Sequence, residues 1–123
     1  MHLGKEDGTV LEARKQLGDN KIIGVSCYNN LQSALQAEQQ GANYVAFGRF
    51  FSSSTKPLAS PADIQTLIQA KQVLTVPVVA IGGILTSNAD LLLNAGADLL
   101  AVIGGLYTEN PKASANAYQR LFQ

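Results

Sequence analysis

The sequence predicts an α/β fold in which parallel strands alternate with helices, and three observations carry that expectation. Short uncharged apolar runs recur along the chain, "IIGVSC", "NYVAFG", "PVVAIGG" and "LLAVIGG", each suited to a strand buried on both faces. Between them lie segments with apolar residues at helical spacing. Those segments open on capping residues and close on glycines. Strict alternation of uncharged strands and helices means a parallel sheet with helices outside it.

"GTVLEARKQLG" reads as the first helix, with Thr9 and Glu12 placed as a capping box and Gly18 as the stop. "KIIGVSC" is a short strand. "NNLQSALQAEQQG" is a helix carrying Leu31, Ala34, Leu35 and Glu38 on one face and closed by Gly41. "NYVAFG" is the second strand, followed by the polar loop "RFFSSSTKPLA". Ser60-Pro61-Ala62-Asp63 then opens a helix with proline at its first position, carrying Ile64, Leu67 and Ile68. "PVVAIGG" is the third strand, "NADLLLNAG" the next helix, opened by Thr86, Ser87 and Asn88, and "DLLAVIGG" the fourth strand. Asn110-Pro111 caps a last helix reaching Phe122. The segments 39–48 and 94–104 resemble each other, with Gly-Ala pairs at 41–42 and 96–97.

Four βα units are half of an eight-fold barrel, and closed barrels need at least about 200 residues. Either the strand set is incomplete, or half-barrels associate, or the sheet is open. The opening "HLGKED" has no strand of its own, yet reads like a strand's C-terminal loop entering a helix, so the domain is expected to begin earlier.

Composition narrows the function classes. Nine basic and nine acidic residues give zero formal charge, which disfavours an electrostatic grip on nucleic acid or an anionic membrane. The longest apolar run, about ten residues, is too short to cross a bilayer, and "MHLGKEDG" has no signal-peptide core. A lone Cys27 suits a reducing cytoplasm. One His and one Cys cannot supply a zinc site, so any metal would be a hard cation on oxygen ligands.

In parallel α/β folds ligands sit at the C-terminal strand ends. Those ends carry Lys5-Glu6-Asp7, Ser26-Cys27-Tyr28, Gly48-Arg49 with Ser52–Lys56, Gly82-Gly83 and Gly104-Gly105. Two strands ending in Gly-Gly before a helix suit paired backbone donors for one phosphate, or are simply tight turns. "SSSTKP" offers hydroxyls and one ammonium to an oxyanion, Ser53 and Thr55 as donors and Lys56 as point charge. As a lone stretch it reads equally as a solvated loop. Asp7 on sequence alone is better read as helix N-terminal charge than as a cation ligand. His2 has no visible partner and reads as structural or as a loose terminus. Cys27 has no histidine to activate it. Phe50 and Phe51 serve either to stack on a flat ring or to pack.

"HLGKED", "IIGVSCYN", "GANYVAFGRFFSSSTKP", "VPVVAIGGI" and "AGADLLAVIGGLY", in that order, resemble the C-terminal part of thiamine phosphate synthase and its relative the thiazole tautomerase. The resemblance spans essentially the whole chain and implies a (β/α)8 TIM-type barrel. Residues 1–123 would form a partial domain of it, from the end of the fourth strand onward. It implies a transferase of thiamine biosynthesis that joins hydroxymethylpyrimidine diphosphate to thiazole phosphate and releases pyrophosphate. Such chemistry needs a cradle for the leaving pyrophosphate more than a base.

By the same resemblance Asp7 matches a Mg²⁺ ligand and Ser26 a pyrimidine-side or diphosphate contact. Ser53, Thr55 and Lys56 match the loop that binds phosphate oxygens, Lys56 and Ser26 being the catalytic candidates. Gly83, Ile103 and Gly104 match the donors for the thiazole phosphate. The family pattern is broken at Lys5 (usually Gln), Tyr28 (commonly His), Arg49 and Ser52 (prolines), and Gly104 (serine). An ammonium at Lys5 is placed to pair with Asp7 or repel a metal. The partner metal carboxylate and the basic pyrophosphate grip belong to the family's first half. Arg49 stands where the tautomerase has its proton-transferring His, and arginine stays protonated. The implied partners are small-molecule phosphates and a second copy of the chain, in the cytoplasm. The alternatives are a non-catalytic phosphate-binding barrel domain, with or without a fused enzyme, and a tautomerase-like protein.

Overall fold

The computed structural model describes residues 1–51 and 62–122. Its elements run β1 (His2–Leu3), α1 (Val10–Leu17), β2 (Gly24–Tyr28), α2 (Leu31–Gln39), β3 (Tyr44–Phe47), α3 (Ile64–Val73), β4 (Val78–Ile81), α4 (Ala89–Asn94), β5 (Leu99–Ala101) and α5 (Pro111–Arg120). The strands form one sheet in the order β1-β2-β3-β4-β5, every neighbouring pair parallel. The expected alternation is therefore what the chain adopts. Ser53, Thr55 and Lys56 lie outside the described residues.

Two local expectations are corrected. The chain opens on a strand and not in a loop, because His2 and Leu3 pair with Gly24 and Val25. Two residues are too few to show a periodic pattern. The third helix begins at Ile64; Pro61, expected at its first position, lies outside the described residues. Asp63, in an extended conformation, is its cap, and its carboxylate accepts from the Gln65 amide at 2.9 Å.

Elsewhere the capping chemistry falls where the residue types put it. Thr9 accepts from the Glu12 amide, Asn30 from Ser33 and Asn110 from Ala113. Each satisfies a backbone donor that the helix itself leaves orphaned. Asn88 behaves differently: it accepts from the Leu85 amide and donates to the Gly83 carbonyl, and so ties the turn between β4 and α4.

Register divides the sheet into two faces, since side chains alternate along each strand. Leu3, Val45, Phe47, Val78 and Ala80 join Val10, Ala34, Ala37, Leu67, Ala70, Ala89 and Leu92 from the helices in one buried cluster. His2, Gly24 and Tyr44 form a row on the opposite face, followed by Ser26, Ala46, Val79 and Leu99, and then by Ile81 and Ala101. Among the described residues the buried helix side chains named above pack on the first face.

The Gly-Ala repeat seen in the sequence has a structural counterpart. Asn43, just before β3, exchanges backbone and side-chain hydrogen bonds with Ile23 before β2, and its Oδ1 also accepts from Arg14 of α1. Asp98, just before β5, does the same with Val78 of β4, and its carboxylate pairs with Lys71 of α3 at 2.8 Å. Gly41 and Gly96, which precede these positions, both take positive φ. An α-β-α-β unit thus occurs twice, pinned each time at the edge where the strands start.

Candidate functional site

Parallel strands deliver all their C-terminal ends to one edge, and the sequence-predicted candidates Asp7, Ser26, Gly83, Ile103 and Gly104 belong to those ends. After β1 the chain turns tightly. The Asp7 carboxylate accepts from the Gly4 amide at 2.7 Å, while the Asp7 amide donates to the Gly4 carbonyl. The Lys5 amide donates to the Tyr28 hydroxyl. Lys5 does not pair with Asp7; among the described residues the salt bridge is Lys71–Asp98. Tyr28 sits at φ 56° after a register shift in β2, half exposed, so that its ring reaches over to the β1 loop.

The adjacent glycines after β4 are required by the protein's own backbone. A Cβ on Gly82 would lie 2.6 Å from Arg49 Cα, and one on Gly83 would lie 2.6 Å from the Phe51 carbonyl oxygen. The Phe50 and Phe51 amides donate to the carbonyls of Ile81 and Gly82. The loop leaving β3 is thus laid against the β4 exit, with φ of 106° and 63° at the glycines, a backbone that suits glycine. Phe50 is buried, which resolves its role as packing. Among the described residues the Gly83 amide is not spent on a turn hydrogen bond.

The second glycine pair divides its labour. A Cβ on Gly105 would lie 2.1 Å from the Tyr118 hydroxyl and 2.7 Å from the Ile84 carbonyl oxygen, whereas around Gly104 there is open space. Tyr118 of α5 donates to that same Ile84 carbonyl at 3.1 Å. Gly105 therefore docks the β5 exit beside the β4 exit, and Gly104 stands clear. The Ile103 carbonyl accepts from the Leu106 and Tyr107 amides, and its side chain is 70% exposed.

Sequence reasoning missed a cluster on the face opposite the helices. His2 Nδ1 is 2.8 Å from the Tyr44 hydroxyl and Nε2 is 2.7 Å from Ser26 Oγ, with the His2 and Tyr44 rings stacked at 5.8 Å between centroids. The expectation that His2 lacks a partner is corrected. Its signal was the parity of the strands: His2, Gly24 and Tyr44 are the same row, and that row became readable only with β1. Cys27 is buried, and burial pushes its thiol up to about 11, which removes it as a thiolate nucleophile.

Among the described residues no group of three His, Cys, Asp or Glu surrounds a cation. A family model described as thiamine monophosphate synthase matches residues 1–106. The chain is 53% identical over 107 residues to a thiamine-phosphate synthase of Methylococcus capsulatus, covering 87% of this chain and 48% of that protein. It is 50% identical over 123 residues to the thiamine-phosphate synthase of Nitrosococcus oceani, covering 99% of this chain and 57% of that one. The solved thiamine phosphate pyrophosphorylase of Pyrococcus furiosus superposes with a TM-score of 0.85 at 33% identity, over 98% of this chain and 57% of that structure. A 3-hexulose-6-phosphate synthase structure, 20% identical with a TM-score of 0.74, shares the fold. The chain spans about half the length of the curated relatives it matches. Five parallel strands alternating with helices, matched to part of a barrel synthase along nearly their whole length, make this chain a member of the thiamine monophosphate synthase family.

Proposed function

We propose that the chain contributes one side of a (β/α)8 barrel to a thiamine phosphate synthase, a cytoplasmic transferase, and holds phosphoryl oxygens at its C-terminal strand edge. The observation that carries the reading is the gathering of Asp7, Ser26, Gly83 and Gly104 at one edge, with the Gly83 amide unspent among the described residues and Gly104 in open space. By the family resemblance Lys56, Ser53 and Thr55 would bind oxygens of the leaving pyrophosphate, with Ser26 beside the pyrimidine end and Gly83, Ile103 and Gly104 around the thiazole phosphate. The methylene–oxygen bond of the diphosphate breaks with its electron pair on pyrophosphate, and the thiazole nitrogen forms the new carbon–nitrogen bond. The protein's task is to stabilise charge arriving on the leaving group.

The donor chemistry fits Mg²⁺. Magnesium takes one or two carboxylates and fills its shell with phosphate oxygens and water, and Asp7 supplies a carboxylate at the strand edge already oriented by the Gly4 amide. When bound, the metal would neutralise developing charge on the diphosphate. No helix among the described residues is long and apolar enough to cross a membrane.

The test incubates the full-length barrel that carries this chain with hydroxymethylpyrimidine diphosphate, thiazole phosphate and Mg²⁺ and follows thiamine phosphate and pyrophosphate. Product formation falling roughly a hundredfold or more in Lys56→Ala is the expected result. Binding of thiazole phosphate with no release of pyrophosphate overturns the catalytic reading and leaves a phosphate-binding domain. Failure to bind either phosphate overturns both.

A further inference from the structure

The His2 cluster is built from three strands at once. His2 comes from β1, Gly24 and Ser26 from β2, and Tyr44 from β3, with His2, Gly24 and Tyr44 in register across the sheet. A Cβ on Gly24 would lie 1.8 Å from Tyr44 Cζ. The bare Cα therefore lets the Tyr44 ring lie across β2, stacked on His2, with its hydroxyl at Nδ1. Gly24 is not among the positive-φ glycines, so what requires glycine here is this ring.

A neutral imidazole has one N–H and one bare nitrogen, and the partner of one nitrogen fixes the role of the other. Phosphoryl oxygens only accept. If Ser26 is to bind one, its hydroxyl proton must point to the ligand, and its oxygen must accept from elsewhere. We propose that His2 is a positioning residue that sets this direction: the Tyr44 hydroxyl donates to Nδ1, Nε2–H donates to Ser26 Oγ, and the Ser26 hydroxyl is left to donate to a substrate acceptor. The relay makes Ser26 a donor, which selects an acceptor atom, either a phosphoryl oxygen or a bare ring nitrogen. This rests on the phosphate-binding reading only for the ligand's side of Ser26; the tautomer is a property of the chain itself.

Two measurements separate the two claims. In the ¹⁵N spectrum of the His2 ring the relay requires a protonated Nε2 and a bare Nδ1, a bias lost in Tyr44→Phe and in Gly24→Ala. That result stands whether or not the protein turns over. Binding of inorganic pyrophosphate and of hydroxymethylpyrimidine diphosphate, by calorimetry, reads the consequence. His2→Ala is expected to weaken one or both by roughly tenfold, the size of one directed hydrogen bond. His2→Gln, which returns an N–H toward Ser26, recovers most of the loss, and His2→Ala adds nothing once Ser26→Ala is present. A ring protonated at Nδ1, or at both nitrogens, overturns the relay. So does a His2→Ala loss that is undiminished in the Ser26→Ala background. Binding of neither ligand by the unaltered chain, with the tautomer as stated, refutes the phosphate reading and leaves the relay standing.

Discussion

Arg14 gathers four side-chain hydrogen bonds on one guanidinium, and removing it is a sharp test of how the strand starts are held. Its Nη1 donates to the carbonyls of Gly18 and Lys21 at 3.0 and 2.7 Å, and its Nη2 to the Gly41 carbonyl and Asn43 Oδ1 at 2.6 and 2.7 Å. One guanidinium thus ties the end of α1, the run into β2 and the turn between α2 and β3. Hydrogen bonds to charged groups contribute about 1.5–3 kcal/mol each when desolvated. These are partly open to water, and the freed carbonyls would be rehydrated, so roughly 0.5–1 kcal/mol apiece is the better scale. The bonds share one side chain and do not add independently. Arg14→Met, which keeps the aliphatic stem, is therefore expected to cost about 2–3 kcal/mol, or on the order of 10 °C in melting temperature for a chain of this size. Urea unfolding of Arg14→Met and Arg14→Lys, followed by circular dichroism, measures it. Lysine lacks the planar fork and should recover less than half. A loss under about 0.5 kcal/mol, or equal stability of the two variants, would refute the claim that the fork holds these segments.

Two more outcomes follow from the same edges. Glu38 Oε1 accepts from the Thr75 hydroxyl and from the Thr75 and Val76 amides, and Asp98 is held by Lys71 and the Val78 amide. Burial raises both carboxyls, but these bonds outweigh it and hold Glu38 below 4.5 and Asp98 below 3.8. A depressed carboxyl stabilises the fold fully above its unfolded value and loses that contribution as pH falls through the folded one. Stability should thus decline from about pH 4.5 downward, with a shallower slope in Glu38→Gln, measured by urea midpoints across pH; an unchanged slope would count against it. The second outcome concerns association. The sheet face away from the helices leaves Leu99 51% and Ile81 38% exposed, so gel filtration of the isolated chain should show a second copy seated there, and a stable monomer would argue otherwise.

How much of this was legible in the sequence depended on whether a residue's role was local. Caps at Thr9, Asn30 and Asn110 work over three residues, and their chemistry is written in the residue type. The apolar runs gave the strands for the same reason, though each proved shorter than its run, since the ladder stops where the backbone turns to meet a neighbour. Roles that depend on register were hidden. Gly24 looks like any glycine within an apolar strand until Tyr44 is known to lie over it. Gly82 and Gly83 read as room for a ligand, and the room is taken first by residues 49–51 of the chain itself. That correction changes what the corner means. A turn packed this closely against backbone has little room to move, so under the proposed function the Gly83 amide would meet a phosphate already oriented. On the proposed reading, rigidity from packing and readiness for the thiazole phosphate would be one property of the corner, because donors fixed in advance bind an anion without reorganising.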